Sequence, residues 1–126
     1  MNTGTDRALT DIEREVLLHI LSAVFPGASE LRRQVADAKV RGNWEPTDSP
    51  SVDIYVSEST QRAPIPDGPV PVAAHVTDEG GSYVGELLIW VTDGRISALE
   101  YSWVTDEPPN KLPDARHVQL STQAKS

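Results

Sequence analysis

The dipeptide Asp93-Gly94 constrains the fold of this chain more than any other feature, because it stands between two stretches of alternating apolar residues. A two-residue type I′ turn needs positive φ at both central positions, and Asp-Gly accepts that conformation readily. Residues 83–92 and 95–105 are therefore predicted to form an antiparallel hairpin. The turn also predicts three cross-strand pairs, which are Val91 with Ile96, Leu88 with Leu99 and Val84 with Trp103.

Both faces of the predicted hairpin are largely apolar. In this register, one face carries Val84, Glu86, Leu88, Trp90, Leu99, Tyr101 and Trp103. The other face carries Leu87, Ile89, Val91, Ile96, Ala98 and Glu100. Such a sheet is either covered on both sides or leaves one side as an exposed apolar surface. The proline-rich loop, the C-terminal tail, a second copy of the chain or another partner could supply the second cover.

Two helices are predicted before the sheet. Thr10 and Glu13 have the spacing of a capping box, which begins a helix that runs to about Val24. After Pro26 and Gly27, apolar residues at helical spacing indicate a second helix over residues 28–38. The short link predicts a helical hairpin over residues 10–38.

Further strands are predicted between the helices and the Asp-Gly turn. Residues 51–57 alternate between apolar and polar side chains, and residues 72–78 show the same pattern. Four prolines between these two segments cannot donate backbone hydrogen bonds to a sheet, so they predict an extended surface loop.

The chain is therefore predicted to be a single α+β domain over residues 1–126. A helical hairpin would pack on a mainly antiparallel sheet of four or five strands within residues 39–105. Residues 1–9 are predicted to be a flexible leader. Residues 106–126 are predicted to be a proline-containing tail that is partly disordered, in which a short segment at residues 118–120 could pair with the sheet again.

The charge of the chain narrows the classes of partner. There are 11 basic and 19 acidic residues among the 126, which gives a net charge of −8. Nucleic acids and anionic membranes attract positive surfaces, so neither is expected as a partner, whereas a basic protein is favoured. No apolar run resembles a signal peptide or is long enough to span a bilayer, and a cytoplasmic location is expected.

No motif predicts a catalytic residue, a metal or a cofactor. The chain has no cysteine, and its three histidines, His19, His75 and His117, lack metal-ligand spacing. Carboxylates are the abundant chemical group. In the predicted register, however, Glu86 and Glu100 lie on opposite faces of the hairpin and cannot act as an acid–base pair.

The richest cluster of binding residues follows the second strand of the hairpin. Aromatic side chains beside acidic ones are typical of protein-binding surfaces, where Tyr and Trp contribute most of the binding energy. The alternative is that Tyr101 and Trp103 belong to the core and that the acidic pair after them is a solvated turn. The candidate binding residues are Trp90, Glu100, Tyr101, Trp103, Asp106 and Glu107.

The hairpin also carries a family resemblance. Residues 88–100 read Leu-Ile-Trp-Val-Thr-Asp-Gly-Arg-Ile-Ser-Ala-Leu-Glu, and Asp-Glu-Pro-Pro follows at 106–109. Together with Pro-Ser-Val-Asp-Ile at 50–54 and the helical residues 9–26, this sequence resembles a group of small uncharacterised actinobacterial proteins over most of its length. The resemblance implies no established activity. Some members have a cysteine-rich stretch before the Pro-Ser-Val-Asp segment, and this chain has no cysteine there.

Two functions remain open from the sequence. The first is a non-catalytic acidic binding protein, for example an immunity-type inhibitor of a toxin or of another basic protein, which could also dimerise through an exposed sheet face. The alternative is a small enzyme or ligand-binding domain with a pocket between helices and sheet, where Glu86 or His75 would be the titratable group. We expect a binding protein rather than an enzyme.

Overall fold

A computed structural model describes residues 6–45 and 49–122 of the chain. These residues form two helices, α1 (Asp11–Leu21) and α2 (Ala28–Gln34), and 3₁₀ turns at Val35–Asp37 and Ala115–His117. The strands are β1 (Arg7–Ala8), β2 (Lys39–Asn43), β3 (Val52–Tyr55), β4 (Gly68–Pro69), β5 (Val72–Thr77), β6 (Tyr83–Thr92), β7 (Arg95–Trp103) and β8 (Val118–Thr122). The predicted α+β class is confirmed.

The described strands form one antiparallel sheet in the order β1-β2-β3-β7-β6-β5-β8. The short β4 also pairs with β6, next to the position where β5 begins. The prediction of four or five strands is therefore wrong, since eight are present in the described part of the chain. β1 and β4 have only two residues each, which is too short for a period-two pattern to reveal. β4 also contains Pro69, in the segment predicted to be a surface loop.

Segments predicted as leader and tail extend the sheet at both edges. β1 lies within the predicted leader and pairs with β2, and Leu9 after it is buried in the core. β8 lies within the predicted tail and pairs with β5 over five residues, and its Val118 is buried. Residues 1–5 and 123–126, also assigned to leader and tail, lie outside the described residues.

The first helix begins as predicted, but the helical hairpin differs in detail. The capping box at Thr10 and Glu13 is present. α1 ends at Leu21, before the predicted Val24, and residues 22–27 separate it from α2. Pro26 disfavours a helical conformation at the residue before it, and Gly27 has a φ of 93°. The link is therefore longer, and α2 shorter, than the sequence pattern suggests.

The hairpin turn is confirmed, but its register is not. Asp93 and Gly94 have φ values of 55° and 74°, as a type I′ turn requires, and Val91 pairs with Ile96. A β-bulge at Ser97 then shifts the pairing by one residue, so Ile89 faces Leu99 and Gly85 faces Trp103. The predicted pairs of Leu88 with Leu99 and of Val84 with Trp103 are wrong.

The bulge also reassigns the faces of β7. Because side chains alternate along a strand, one extra residue moves every later side chain to the other face. Leu99 and Tyr101 therefore join Leu87 and Ile89 in the core. Glu100 joins the opposite face, where Trp90 lies.

Both helices cover the same face of the sheet. The core contains apolar side chains from α1, α2 and the inward positions of the strands, with Leu17, Ile20, Leu31, Ile89 and Leu99 fully buried. Two residues of the proline-rich segment, Ala63 and Val70, are also buried. That segment therefore packs on the core and is not a free surface loop.

Gln34, at the end of α2, is the fully buried polar side chain that joins the helices to the hairpin turn. Its Nε2 donates to the carbonyl oxygen of Gly94 at 2.8 Å and to that of Gln61 at 3.0 Å. Its Oε1 accepts from the backbone N–H of Ile96 at 3.0 Å. β3 pairs with β7 only at Val52–Leu99 and Asp53–Ala98, so Gln34 satisfies an N–H of β7 that β3 does not reach.

We expect Gln34→Leu to lower the free energy of unfolding by about 3 kcal/mol, because it leaves buried backbone groups without partners. The matched control is Arg33→Leu at the exposed neighbouring position, where a change within about 0.5 kcal/mol is expected. Urea unfolding followed by tryptophan fluorescence measures both. Equal stability of the two variants would contradict the role assigned to Gln34.

Glu13 is a buried carboxylate that ties β1 to α1. Arg7 donates to both of its oxygens, at 3.0 and 2.9 Å, and the N–H of Thr10 donates to Oε1 at 2.8 Å. Burial by itself raises the pKa of Glu13, but the bonds from Arg7 and Thr10 outweigh it and hold the pKa below its ordinary value. The ionised carboxylate therefore stabilises the folded state.

We expect Glu13→Gln to cost about 1–2 kcal/mol of stability at neutral pH. A carboxylate whose pKa is depressed on folding stabilises the protein above its unfolded pKa of about 4.3. This contribution disappears as the pH falls through the lower folded pKa. Urea unfolding at a series of pH values should therefore show wild type and variant converging in acid, while exposed Glu15→Gln has little effect at any pH. A difference that persists unchanged at about pH 2 would exclude the ionised carboxylate as its source.

Candidate protein-binding surface

The face of the sheet that points away from both helices is named here the outer face. Inward residues such as Leu87 and Ile89 are buried, whereas the alternating residues of β6 remain half-buried at Glu86, Leu88 and Trp90. Cross-strand pairing places other side chains on the same face. These are Asp53, His75, Ala98, Glu100 and Ser102.

Two outer-face side chains predicted as binding residues meet in the structure. The indole Nε1 of Trp90 donates to Oε1 of Glu100 at 2.9 Å. Both side chains are half-buried, and they come together because the bulge at Ser97 turns Glu100 to the outer face. The bond fixes an aromatic ring beside a carboxylate whose second oxygen, Oε2, has no hydrogen-bond partner in the part of the chain that the structure describes.

Trp44 and Asp53 form a second pair of the same kind. The indole Nε1 of Trp44 donates to Oδ1 of Asp53 at 2.9 Å. Asp53 lies on β3 opposite Ala98, and Ala98 lies opposite Trp90 on the next strand. Ala98 is only 6% exposed although it is on the outer face, so the larger side chains around it cover this central position.

The outer face is acidic. Within the described residues, Asp53, Glu86 and Glu100 have no Lys or Arg within ion-pair distance. At the β2 edge, the Arg41 guanidinium stacks over Tyr55 at 4.1 Å and pairs with Asp6. These three carboxylates therefore have no ion-pair partner within this part of the chain.

A surface cleft adjoins the outer face where β3 diverges from β7, and it is named here the tryptophan cleft. Its volume is about 300 Å³, and it is lined by residues that include Trp44, Glu45, Ser51, Glu100, Tyr101 and Trp103. The Ser51 hydroxyl accepts from the backbone N–H of Tyr101 at 2.8 Å. This bond connects the two walls beyond the last β3–β7 pair.

The other predicted binding residues separate in the structure. Tyr101 belongs to the core, and burial raises the pKa of its phenol above the ordinary value. Trp103 is 37% exposed at the end of β7. Asp106 and Glu107 are exposed in the segment after that strand. The structure therefore brings together Trp90 and Glu100, places Trp103 at the adjoining cleft, and leaves the acidic pair beyond it.

Sequence reasoning did not include Trp44, Glu45 or Asp53 among the binding residues. Trp44 and Asp53 are nine positions apart and meet because β2 and β3 pair antiparallel. The available signal was an aromatic residue next to an acidic one in a polar segment at Trp44-Glu45. Only the strand order brings this segment next to β7.

The two groups proposed for a catalytic pocket also lie on the outer face. His75 and Glu86 are a cross-strand pair on β5 and β6, and the His75 ring packs edge-on against Tyr83 with 5.4 Å between centroids. The helix–sheet interface, where the alternative function needs its pocket, therefore holds neither of them. The two glutamates predicted on opposite faces, Glu86 and Glu100, share this face, which corrects that prediction.

Residues 6–45 and 49–122 contain neither a cluster of metal ligands nor a membrane-spanning helix. No group of three or more His, Asp or Glu side chains there is arranged to hold a metal ion. No helix in the same ranges has both the length and the apolar character needed to cross a bilayer.

Comparisons with protein-family models, with curated proteins and with solved structures found no match to this chain. The resemblance to small actinobacterial proteins therefore stays a prediction, and the function has to be argued from the outer face and the tryptophan cleft.

Proposed function

We propose that this chain is a non-catalytic binding protein that recognises a basic protein partner through the outer face of its sheet. The observation that carries the proposal is the hydrogen-bonded pair of Trp90 and Glu100 on a face that neither helix covers. Aromatic side chains held beside charged groups are typical of the residues that contribute most to protein–protein binding.

Charge supports a basic partner. The chain has a net charge of −8, and the carboxylates of Asp53, Glu86 and Glu100 lie on the outer face without a nearby cation in the described residues. A positive surface would gain from this arrangement both in its rate of association and in its selectivity. A second copy of the chain would instead place like charges opposite each other, so we favour a different, basic protein over a homodimer.

Rigidity of the face supports recognition as well. Each of the two indole N–H groups is held by a carboxylate on an adjacent element, at 2.9 Å in both cases. Side chains that are fixed before binding lose less conformational freedom on association. The most concrete form of the proposal is an immunity-type protein, which would neutralise a toxin by covering a basic surface needed for its activity.

We expect the double variant Glu86→Lys plus Glu100→Lys to lose the partner, because it reverses the charge of the outer face. Tagged wild type and variant would be compared by affinity capture from cells of the source organism. The captured protein would then be purified and titrated by calorimetry. A basic protein that binds wild type stoichiometrically and binds the variant at least about tenfold more weakly is the expected result. If that protein is a toxin, wild type but not the variant should inhibit it.

The matched control is Glu15→Lys plus Glu30→Lys, which makes the same change in net charge on the helices and should retain the partner. Circular dichroism and urea unfolding would establish that each variant is folded, and Glu86→Gln plus Glu100→Gln offers a milder change. The proposal is wrong if no stoichiometric partner is found, or if the partner binds the outer-face and helix variants equally well.

A further inference from the structure

The tryptophan cleft differs in charge from other clefts on this molecule. Four other surface clefts each include a basic side chain, namely Arg32, Arg62, Lys111 and Arg116. Among residues 6–45 and 49–122, the residues that line the tryptophan cleft include Glu45 and Glu100 but no Lys, Arg or His. Trp44, Tyr101 and Trp103 also line it. A surface that combines aromatic rings with carboxylates is suited to binding a cation.

Two side chains that line this cleft are each fixed by a residue just outside it. Trp44 is held by its indole bond to Asp53, and Glu100 is held by its bond from Trp90. Glu100 uses Oε1 for this bond, and its Oε2 has no hydrogen-bond partner among the described residues. Ser51 and Ser49, which also line the cleft, are buried, and the Ser51 hydroxyl is held by the Tyr101 N–H. Contacts within the chain therefore hold Trp44, Ser51 and Glu100 in place.

On the basis of the proposed function, we infer that the tryptophan cleft receives an arginine side chain of the basic partner. A guanidinium is planar, stacks on aromatic rings and donates to carboxylates through several N–H groups at once, whereas an ammonium is a more strongly hydrated point charge. The cleft volume of about 300 Å³ leaves room for one such side chain. In this arrangement the guanidinium contacts Trp44 and Trp103 and donates to Glu100 and Glu45.

The test titrates ¹⁵N-labelled protein with three small probes, N-acetylarginine amide, N-acetyllysine amide and the neutral isostere N-acetylcitrulline amide. The chain has three tryptophans, Trp44, Trp90 and Trp103, and all of them lie in the cleft or contact one of its residues, so their indole N–H signals report binding directly. We expect saturable shifts with the arginine probe, weaker binding of the lysine probe, and no saturable shift with citrulline. Added salt should weaken the binding of the arginine probe, because salt screens the ionic contact.

Single substitutions test which carboxylates bind the arginine probe. Glu100→Gln should weaken the binding of the arginine probe by about fivefold. Since that change also alters the bond to Trp90, exposed Glu45→Gln provides a second variant, with an expected weakening of about threefold. Glu15→Gln on α1 is the matched control and should bind as wild type does.

Three results would overturn the inference: no saturable shift with arginine, citrulline binding as tightly as arginine, or equal binding by Glu45→Gln, Glu100→Gln and the control. If the lysine probe binds as tightly as the arginine probe, the inferred preference for a guanidinium is wrong. If the arginine titration fails while the outer-face charge reversal still releases the protein partner, the inference alone is wrong. If the arginine probe binds but no protein partner is found, the cleft is a guanidinium site and the proposed function is wrong.

Discussion

The hydrogen bonds of Gln34 hold this fold together at the point where its two layers meet. The two-residue turn at Asp93 and Gly94 projects beyond the short β3, so part of the β7 edge has no strand beside it. Gln34 bonds to that edge at Ile96 and to the turn at Gly94. At the other end of the β3 contact, Ser51 does the same for Tyr101. Buried backbone groups must find partners, and here two side chains provide them.

The position of the candidate binding surface follows from this arrangement. With α2 anchored to the turn, both helices lie on one side of the sheet, and the side that carries Trp90 remains without a helix. The bulge at Ser97 then decides which β7 residues reach that side. Without the bulge, Glu100 would point into the core and Leu99 outward, and the indole–carboxylate pair would not form. One extra residue in β7 thus decides which of its later side chains pack in the core and which lie on the acidic, aromatic outer face.

Two different uses of a carboxylate appear in the same chain. Glu13 is buried and tied to Arg7, and its charge stabilises the junction of β1 and α1. Glu100 is half-buried and bonded to a neutral indole, and it has no ion-pair partner among the described residues. An ion pair inside one chain contributes to folding, whereas a fixed carboxylate without a cation is available to a partner. This contrast is the physical basis for assigning recognition to the outer face.

The sequence by itself determined the local features of this protein. The capping box at Thr10, the type I′ turn at Asp93 and the alternation of side chains along β6 depend on neighbouring residues, and all three are as predicted. The strand order, the two-residue strands β1 and β4, and the choice of β5 as the partner of β8 depend on contacts between distant segments, which leave no periodic trace. The bulge was decisive in the same way, because one residue at Ser97 reverses the alternation of β7 without any turn residue to mark it. Tertiary structure alone therefore decided that Glu100 meets Trp90, that Trp44 lies near Trp103, and that Tyr101 belongs to the core.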